Sequence, residues 1–276
     1  MLIKKSIATT IKYTIITAIF GDYDILHEPE IVDTNCTYIC FTDNINRLKK
    51  LLPENTAWTI KEIQDPEVLK IDNPRSKVYY IRYHLFKYCT TYYCIWLDSA
   101  YLIRKSLFPF VKPLINDKYE IGTMVYYNEF DTVYKNSNLW KDIDNPAIAN
   151  CLDIIFKFLK NNNYPFEYRG MFVASMRVCK NTNVNQMICN DTYNLLISLH
   201  KDFYLDEFVY SYILNTKYNN LKIFPINNYI NHSDYLMAFN HNSNEFRYGK
   251  YKYPTIYNNI KRRDYMFNKE IENIKV

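Results

Sequence analysis

The chain has 276 residues, of which 48% are hydrophobic, and its formal net charge is only +5. A chain of this length and hydrophobic content can bury a substantial core, so a mainly disordered protein is excluded and one large domain is expected. The 28 tyrosines, with only four glycines and many Asn, Lys and Ile residues, indicate the codon bias of an AT-rich genome rather than a nucleic-acid-binding surface.

The first twenty residues, MLIKKSIATTIKYTIITAIF, contain an apolar stretch that we interpret as a β-strand. Lys12 and several threonines interrupt the stretch, which is too short to cross a bilayer and lacks a small-residue cleavage site. We therefore expect neither a membrane span nor a signal peptide there.

Short runs of β-branched and aromatic residues alternate with longer stretches of helical periodicity, which is typical of an α/β domain with one central sheet. Pro225 falls in the last of these runs and marks a sheet edge or the end of a strand. The predicted strands are residues 12–20, 37–42, 58–63, 93–98, 120–127, 171–176 and 221–227.

Hydrophobic residues at helical spacing predict four main helices that pack on this sheet. The first follows Ser76, which we interpret as its N-cap. The predicted helices are residues 77–89, 145–161, 186–201 and 206–216. We place a boundary near residue 240, between a domain of residues 1–240 and a C-terminal extension of residues 241–276.

The extension interleaves Arg and Lys with Tyr and Phe, as in FRYGKYKYPTIYNNIKRRDYMF. A solvated tail is the favoured interpretation, and contact with an anionic membrane or a polyanionic acceptor is the second. Nucleic-acid binding is a third interpretation of such a tail, although no nucleic-acid partner is expected.

The seven cysteines form no CxxC pair, so neither a zinc site nor a disulfide scaffold is predicted. A reducing compartment fits this pattern best. We therefore expect a cytoplasmic protein, with peripheral membrane contact through the basic tail as a further option.

Acidic residues follow three of the predicted strands: Asp22 and Asp24 the first, Asp43 the second and Asp98 the fourth. Ligands collect outside the carboxyl ends of the strands in an open α/β sheet, so these acids together predict a ligand site. Taken singly, each is equally well explained as the cap of a following helix or turn.

Asp98 is the most informative of these acids because it interrupts the apolar run IWLDSAYLI. An unpaired carboxylate in a buried segment is costly, so Asp98 must have either a partner or a function.

Arg75 and Lys77 lie at the predicted start of a helix, in DNPRSK. Free backbone N–H groups and the helix dipole favour an anion there, and a diphosphate would fit. The alternative is a solvated basic turn paired with Asp72.

The succession TAIFGDYD, YICFTDN, W-x-I, NPRSKVYYIRYHLF and CIWLDSAYLI resembles the TOD/MUCI-type glycosyltransferase-like domain, a relative of glycosyltransferase family 8 with the GT-A fold. The resemblance covers about residues 13–110, and segments 170–181 and 203–214 are similar as well. It implies a GT-A-like single domain with a central mixed, mostly parallel sheet flanked by helices. It also implies an enzyme that moves a sugar from a nucleotide sugar, with a UDP-sugar favoured, to a glycan, lipid-linked or protein acceptor.

The same resemblance implies roles for particular residues. The donor nucleotide would contact the loop after the first strand, the end of the second strand, the basic helix start and the end of the fourth strand. The residues at these places are Phe20, Gly21, Asp22, Tyr23, Asp43, Arg75, Lys77, Asp98 and Ser99. Asp98 would be the first acid of a D-x-D element that holds Mn²⁺ or Mg²⁺, with His232 or His241 completing the shell. Ala100 stands where the second acid of that element would be, so the metal lacks one ligand.

Asp206 and Glu207 are the candidate catalytic acids, since an inverting transferase needs a carboxylate base and a retaining one can use a nearby acid. Both residues begin a predicted helix, so charge complementing the helix dipole is an equal alternative.

Two other readings of Asp98 concern different classes of protein. A haloacid-dehalogenase phosphatase also places Asp after an apolar strand, but it needs a second acid where Ala100 stands, and that strand is usually near the N-terminus. A degenerate GT-A domain would bind a nucleotide sugar or a protein without turnover. The sugar, base, acceptor, stereochemical outcome and oligomeric state are not determined by the sequence.

Overall fold

The computed structural model describes residues 11–21, 24–115, 118–126, 146–164, 170–200, 205–229 and 234–238. The predicted boundary near residue 240 and the extension 241–276 lie outside the described residues.

The strands occur where the β-branched and aromatic runs predict them, with two short additions. The described strands are β1 (Tyr13–Ile19), β2 (Cys36–Thr42), β3 (Trp58–Glu62), β4 (Tyr93–Leu97), β5 (Tyr101–Ile103), β6 (Ile121–Tyr126), β7 (Met171–Lys180), β8 (Ile223–Pro225) and β9 (Leu236–Ala238).

Described helices overlap all four that the periodicity predicts, and several short helices are added. The described helices are α1 (Ile45–Leu51), α2 (Pro66–Leu69), α3 (Pro74–Tyr83), α4 (Leu85–Tyr88), α5 (Phe108–Ile115), α6 (Pro146–Asn161), α7 (Asn183–Leu199), α8 (Asp206–Thr216) and α9 (Ile226–Tyr229). Among the described residues, no helix is both long and apolar enough to cross a membrane.

Seven strands form one central sheet in the order β3-β2-β1-β4-β7-β6-β8. All of them run in the same direction except β7, which is antiparallel to both of its neighbours. The predicted α/β class, with a mixed and mostly parallel sheet flanked by helices, is confirmed. The edge position of β8, which ends at Pro225, also agrees with the prediction.

Helices cover both faces of the sheet, which explains why β1 is buried at every position. Ile16 and Ala18 face one core, to which α3, α6, α7 and α8 contribute. Ile15 and Ile19 face the other core, to which α1, α5 and α9 contribute.

The predicted helix of residues 77–89 is wrong in its start and in its continuity. Helix α3 begins at Pro74, and the N-cap is Asn73 rather than Ser76. The Asn73 side chain accepts hydrogen bonds from two backbone N–H groups of the first turn, and a proline at the first helical position suits a helix start. The helix then ends at His84, where a non-helical backbone separates α3 from α4.

Cys89 and Cys94 form a disulfide, with Cα atoms 6.5 Å apart. The prediction that the cysteines form no disulfide is therefore wrong for this pair. The chain turns sharply between α4 and β4, which brings two cysteines five positions apart into contact. The argument for a reducing compartment rested on the absence of disulfides and loses that support.

Candidate functional site

The carboxyl ends of β1, β2 and β4 lie side by side, because the three strands are parallel and in register. We call this end of the sheet, where these strands terminate, the carboxyl edge. The register pairs Ile19 with Thr42, so the residues that follow each strand are neighbours. The backbone N–H of Gly21 donates to the Asp43 carboxylate, with both oxygens 3.2 Å away. Two residues that the sequence assigns to one site are therefore in contact.

Gly21 also fixes the position of helix α3 relative to this edge. Its φ of +61° lies in the left-handed region, and a Cβ atom at this position would lie 2.7 Å from Cγ of Pro74. Only glycine allows both the backbone conformation and the close approach. The loop after β1 is therefore packed directly against the start of α3.

Two basic side chains accompany this helix start. Lys77 places its Nζ atom 5.9 Å from the centre of the Phe20 ring, and Arg75 is half-buried. The expectation of free N–H groups is wrong for the first turn, since Asn73 Oδ1 accepts from the N–H groups of Arg75 (2.9 Å) and Ser76 (3.3 Å). Attraction for an anion at this point thus comes from the side-chain charges and the helix dipole.

Asp98, at the end of β4, has its counter-charge inside the fold. Its Oδ1 atom accepts from the guanidinium of Arg82 and from Trp96 Nε1, the latter at 2.8 Å. No hydrogen bond or ion pair from the described residues falls on Oδ2, and 27% of the Asp98 side chain is exposed. Arg82 is thus the partner that the carboxylate within IWLDSAYLI requires.

The next two residues turn inward. Ser99 donates its hydroxyl proton to Asp24 Oδ2 at 2.6 Å, and Asp24 is itself buried. Ala100 is buried and carries no ligand atom in its side chain. The end of β4 is therefore tied to the segment that follows β1.

Asp206 is the second carboxylate held by Arg82. It accepts from Arg82 Nη1 at 2.5 Å and from the Tyr83 hydroxyl at 2.6 Å, and it is almost fully buried. Burial alone raises the pKa of Asp206, but the Arg82 charge and the Tyr83 hydrogen bond outweigh burial and lower it. In this geometry Asp206 is an ionised counter-ion for Arg82.

Glu207 has a different environment although it is the next residue. It is half-buried, and burial followed by the charge of Asp206 raises the pKa of Glu207 to about 7. A carboxyl group that titrates near neutral pH is suited to accept or donate a proton during a reaction.

Arg82 and Arg177 are site residues that the sequence reasoning missed. Arg177 is fully buried, donates to the backbone carbonyl of Arg82 at 2.6 Å, and has the rings of Tyr83 and Tyr210 centred 4.6 and 5.1 Å from its guanidinium carbon. The available signal was an arginine inside an apolar element, in VYYIRYHLF and in MFVASMRVCK. Buried arginines require acceptors and aromatic faces, so each pointed to a polar centre in the core.

A cleft of about 550 Å³ lies along α1 and its N-cap Asn44, the residue that follows Asp43. Arg47, on its wall, donates from Nη1 to the backbone carbonyl of Asp24 at 3.1 Å. The lining carries positive charge and amide groups and no acid: Ile25, Asn44, Asn46, Arg47, Lys50 and Leu51.

The described residues do not fit a divalent metal ion. They contain no group of three or more His, Cys, Asp or Glu side chains placed to hold one. Asp98 already accepts two hydrogen bonds on one oxygen, and Ala100 adds no ligand. The predicted ligands His232 and His241 lie outside the described residues, as do the predicted nucleotide contacts Asp22 and Tyr23.

No family model and no curated protein matches the chain. Among solved structures, the chain is similar to the crystal structure of mouse xyloside xylosyltransferase 1 in its apo form. The two share 9% identity with a TM-score of 0.46, over 77% of this chain and 84% of that chain. A likeness of this degree carries no argument about function, so the assignment depends on the geometry of the site.

Proposed function

We propose that the chain is a glycosyltransferase that moves a sugar from a nucleotide-sugar donor to a glycan, lipid-linked or protein acceptor. The observation that carries this proposal is the contact of Gly21 with both Asp43 and Pro74 at the carboxyl edge of the sheet. The strand order reverses between β1 and β4, and α/β sheets bind ligands at such a switch point. The sequence resemblance to the TOD/MUCI-type domain supports the same site.

The residues at this edge have the chemistry that a nucleotide sugar requires. The exposed Asp43 carboxylate suits the ribose hydroxyls, and the cleft along α1 has room for a base. The positive charges of Arg75 and Lys77 would neutralise negative charge on the diphosphate and so stabilise it as the leaving group. A UDP-sugar is the donor class that the resemblance favours.

Glu207 is the proposed acid or base on the acceptor side. Its carboxyl group is half-buried, and burial and the charge of Asp206 raise its pKa, whereas Asp206 is ion-paired and almost fully buried. We assign proton transfer to Glu207. Asp206 is assigned the role of holding Arg82 in position. A solvated tail stays the favoured interpretation of residues 241–276, and contact of its basic residues with an anionic acceptor or membrane surface is the second.

A second candidate is a GT-A-like domain that binds a nucleotide sugar without transferring it. The observations that favour this candidate are Ala100 in the place of the second D-x-D acid and the engagement of Asp98 by Arg82. The two candidates differ in whether a bound donor is ever consumed.

A thermal-shift screen of UDP-, GDP- and CMP-sugars tests the shared donor site, because a ligand that binds only the folded state raises its apparent stability. We expect one nucleotide class to raise the Tm of the wild type but not of Asp43→Ala. Asp153→Ala, which makes the same change at an exposed aspartate on α6, should respond like the wild type. If no nucleotide sugar shifts the wild type, both candidates fail, and a non-catalytic domain that binds only another protein takes the lead. Release of nucleoside diphosphate from the stabilising donor then separates the enzyme from the binding module.

A further inference from the structure

Four charged side chains form a continuous cluster behind the carboxyl edge. Arg82 binds Asp98 and Asp206, and Arg177 donates to the backbone of Arg82. Two guanidinium and two carboxylate groups balance in charge, so the cluster needs no added cation. A cation brought to Asp98 would also be repelled by the adjacent guanidinium of Arg82.

The cluster is buried at one end and open at the other. Side-chain exposure is 6% for Arg82 and 3% for Asp206, but 27% for Asp98. Asp98 is therefore the group through which the cluster meets the carboxyl edge. Arg82 and Trp96 both bind Oδ1, and that arrangement orients Asp98 with Oδ2 uncommitted among the described contacts.

Among the described residues, the donor set around Asp98 is that of a hydrogen-bond acceptor rather than of a metal site. Mg²⁺ and Mn²⁺ favour about six oxygen ligands, of which several come from carboxylates or water. Ser99 directs its hydroxyl proton to Asp24, and Ala100 offers no ligand. A carboxylate oxygen fixed by an internal arginine is instead well suited to accept from a hydroxyl group.

We propose that Asp98 is held by Arg82 to accept a hydrogen bond from a hydroxyl of the donor sugar, and that donor binding requires no divalent metal ion. Arg82 supplies the fixed positive charge beside this aspartate, and it acts as a positioning residue. This inference rests on the proposed nucleotide-sugar site. It gives Asp98 a different role from that of metal ligand, which the sequence resemblance implies.

Isothermal titration of the full-length protein tests the inference with UDP and UDP-glucose, or with the matching pair of the nucleotide class found by the screen. Each titration is run in EDTA and again with Mn²⁺. The Kd of the wild type should differ by less than about twofold between the two conditions. Asp98→Ala should raise the Kd for UDP-glucose by about tenfold, which is the effect of one lost charge-assisted hydrogen bond. The Kd for UDP should change by less than about twofold.

The unchanged UDP affinity shows that Asp98→Ala is folded. Asp98→Asn keeps an acceptor oxygen and should lose less affinity for UDP-glucose than Asp98→Ala, and it replaces the alanine variant if the latter does not fold. Tightening by Mn²⁺ of about tenfold or more would overturn the inference while leaving the proposed function intact. Equal losses of affinity for UDP and for UDP-glucose in Asp98→Ala would overturn the inference as well. Absence of any binding in either condition would instead show that the proposed function has failed.

Discussion

Arg82 and Asp206 form an ion pair in which both side chains are almost completely buried, with 2.5 Å between Nη1 and Oδ2. The pair joins α3 to the start of α8, two elements separated by more than a hundred residues in the sequence. Because Arg82 also binds Asp98 at the end of β4, the pair links the start of α8 to the carboxyl edge of the sheet.

Removal of one charge from this pair should destabilise the protein strongly. Asp206→Asn leaves Arg82 buried with one ionic partner fewer, and we expect a loss of about 3 kcal/mol in the free energy of unfolding. Urea denaturation measures this loss. Asp153→Asn, the same change on the surface of α6, should cost less than about 0.5 kcal/mol. Equal effects of the two substitutions would show that the buried pair contributes nothing.

Gly21 and Gly122 offer a matched test of the packed loop. Gly21→Ala should lower stability by about 1–2 kcal/mol, since φ is positive and the new Cβ would collide with Pro74. Gly122→Ala meets its nearest atoms at 3.5 Å or more, which is ordinary contact, and should be close to neutral. Gly21→Ala should also weaken nucleotide binding, because Asp43 and the start of α3 both contact this loop. Similar unfolding free energies for the two variants would contradict the packing described.

Glu207 should make stability depend on pH in a defined window. Its pKa is raised from 4.5 to about 7 in the folded protein, so the folded state holds a proton that the unfolded state has released. Stability attributable to Glu207 is therefore lost as pH rises from about 4.5 to about 7, by an amount on the order of 2 kcal/mol. Glu207→Gln removes this loss, so its stability relative to the wild type should be higher at pH 8 than at pH 5. A difference between variant and wild type that is the same at both pH values would refute the raised pKa.

The Cys89–Cys94 disulfide should stabilise the turn that leads into β4. A cross-link across so short a loop contributes about 2 kcal/mol in the chain-entropy description. Reductant should therefore lower the Tm of the wild type, and Cys89→Ser should start from a lower Tm that reductant does not change. A wild-type Tm that is insensitive to reductant would show that the bond is absent in solution.

The sheet could be predicted from the sequence because its strands are runs of β-branched and aromatic residues bounded by turn residues. KYTIITAIF and YCIWLD predict β1 and β4 to within one residue at each end. The paired strands β5 and β9 have three residues each, which is too short for an alternating pattern to be visible.

The contacts that define the site could not be predicted in the same way. Asn73 and Ser76 are both good N-cap residues, and only the structure shows which of them receives the N–H groups of the first turn. Arg82 contacts Asp206, which lies 124 positions away in the sequence. This contact depends on how α3 and α8 pack on the sheet. Sequence patterns place Asp98 at a strand end, but they do not identify its partner.

The most direct test of the nucleotide-sugar site is hydrogen–deuterium exchange, measured by mass spectrometry with and without the nucleotide sugar that raises the Tm. Bound donor should slow exchange in peptides covering the ends of β1 and β2 and the start of α3, at residues 19–21, 42–44 and 75–77. Peptides from the opposite edge, at residues 36–38 and 93–95, should be unchanged. Protection confined to that opposite edge, or no protection in the presence of saturating nucleotide sugar, would contradict the assignment of the site.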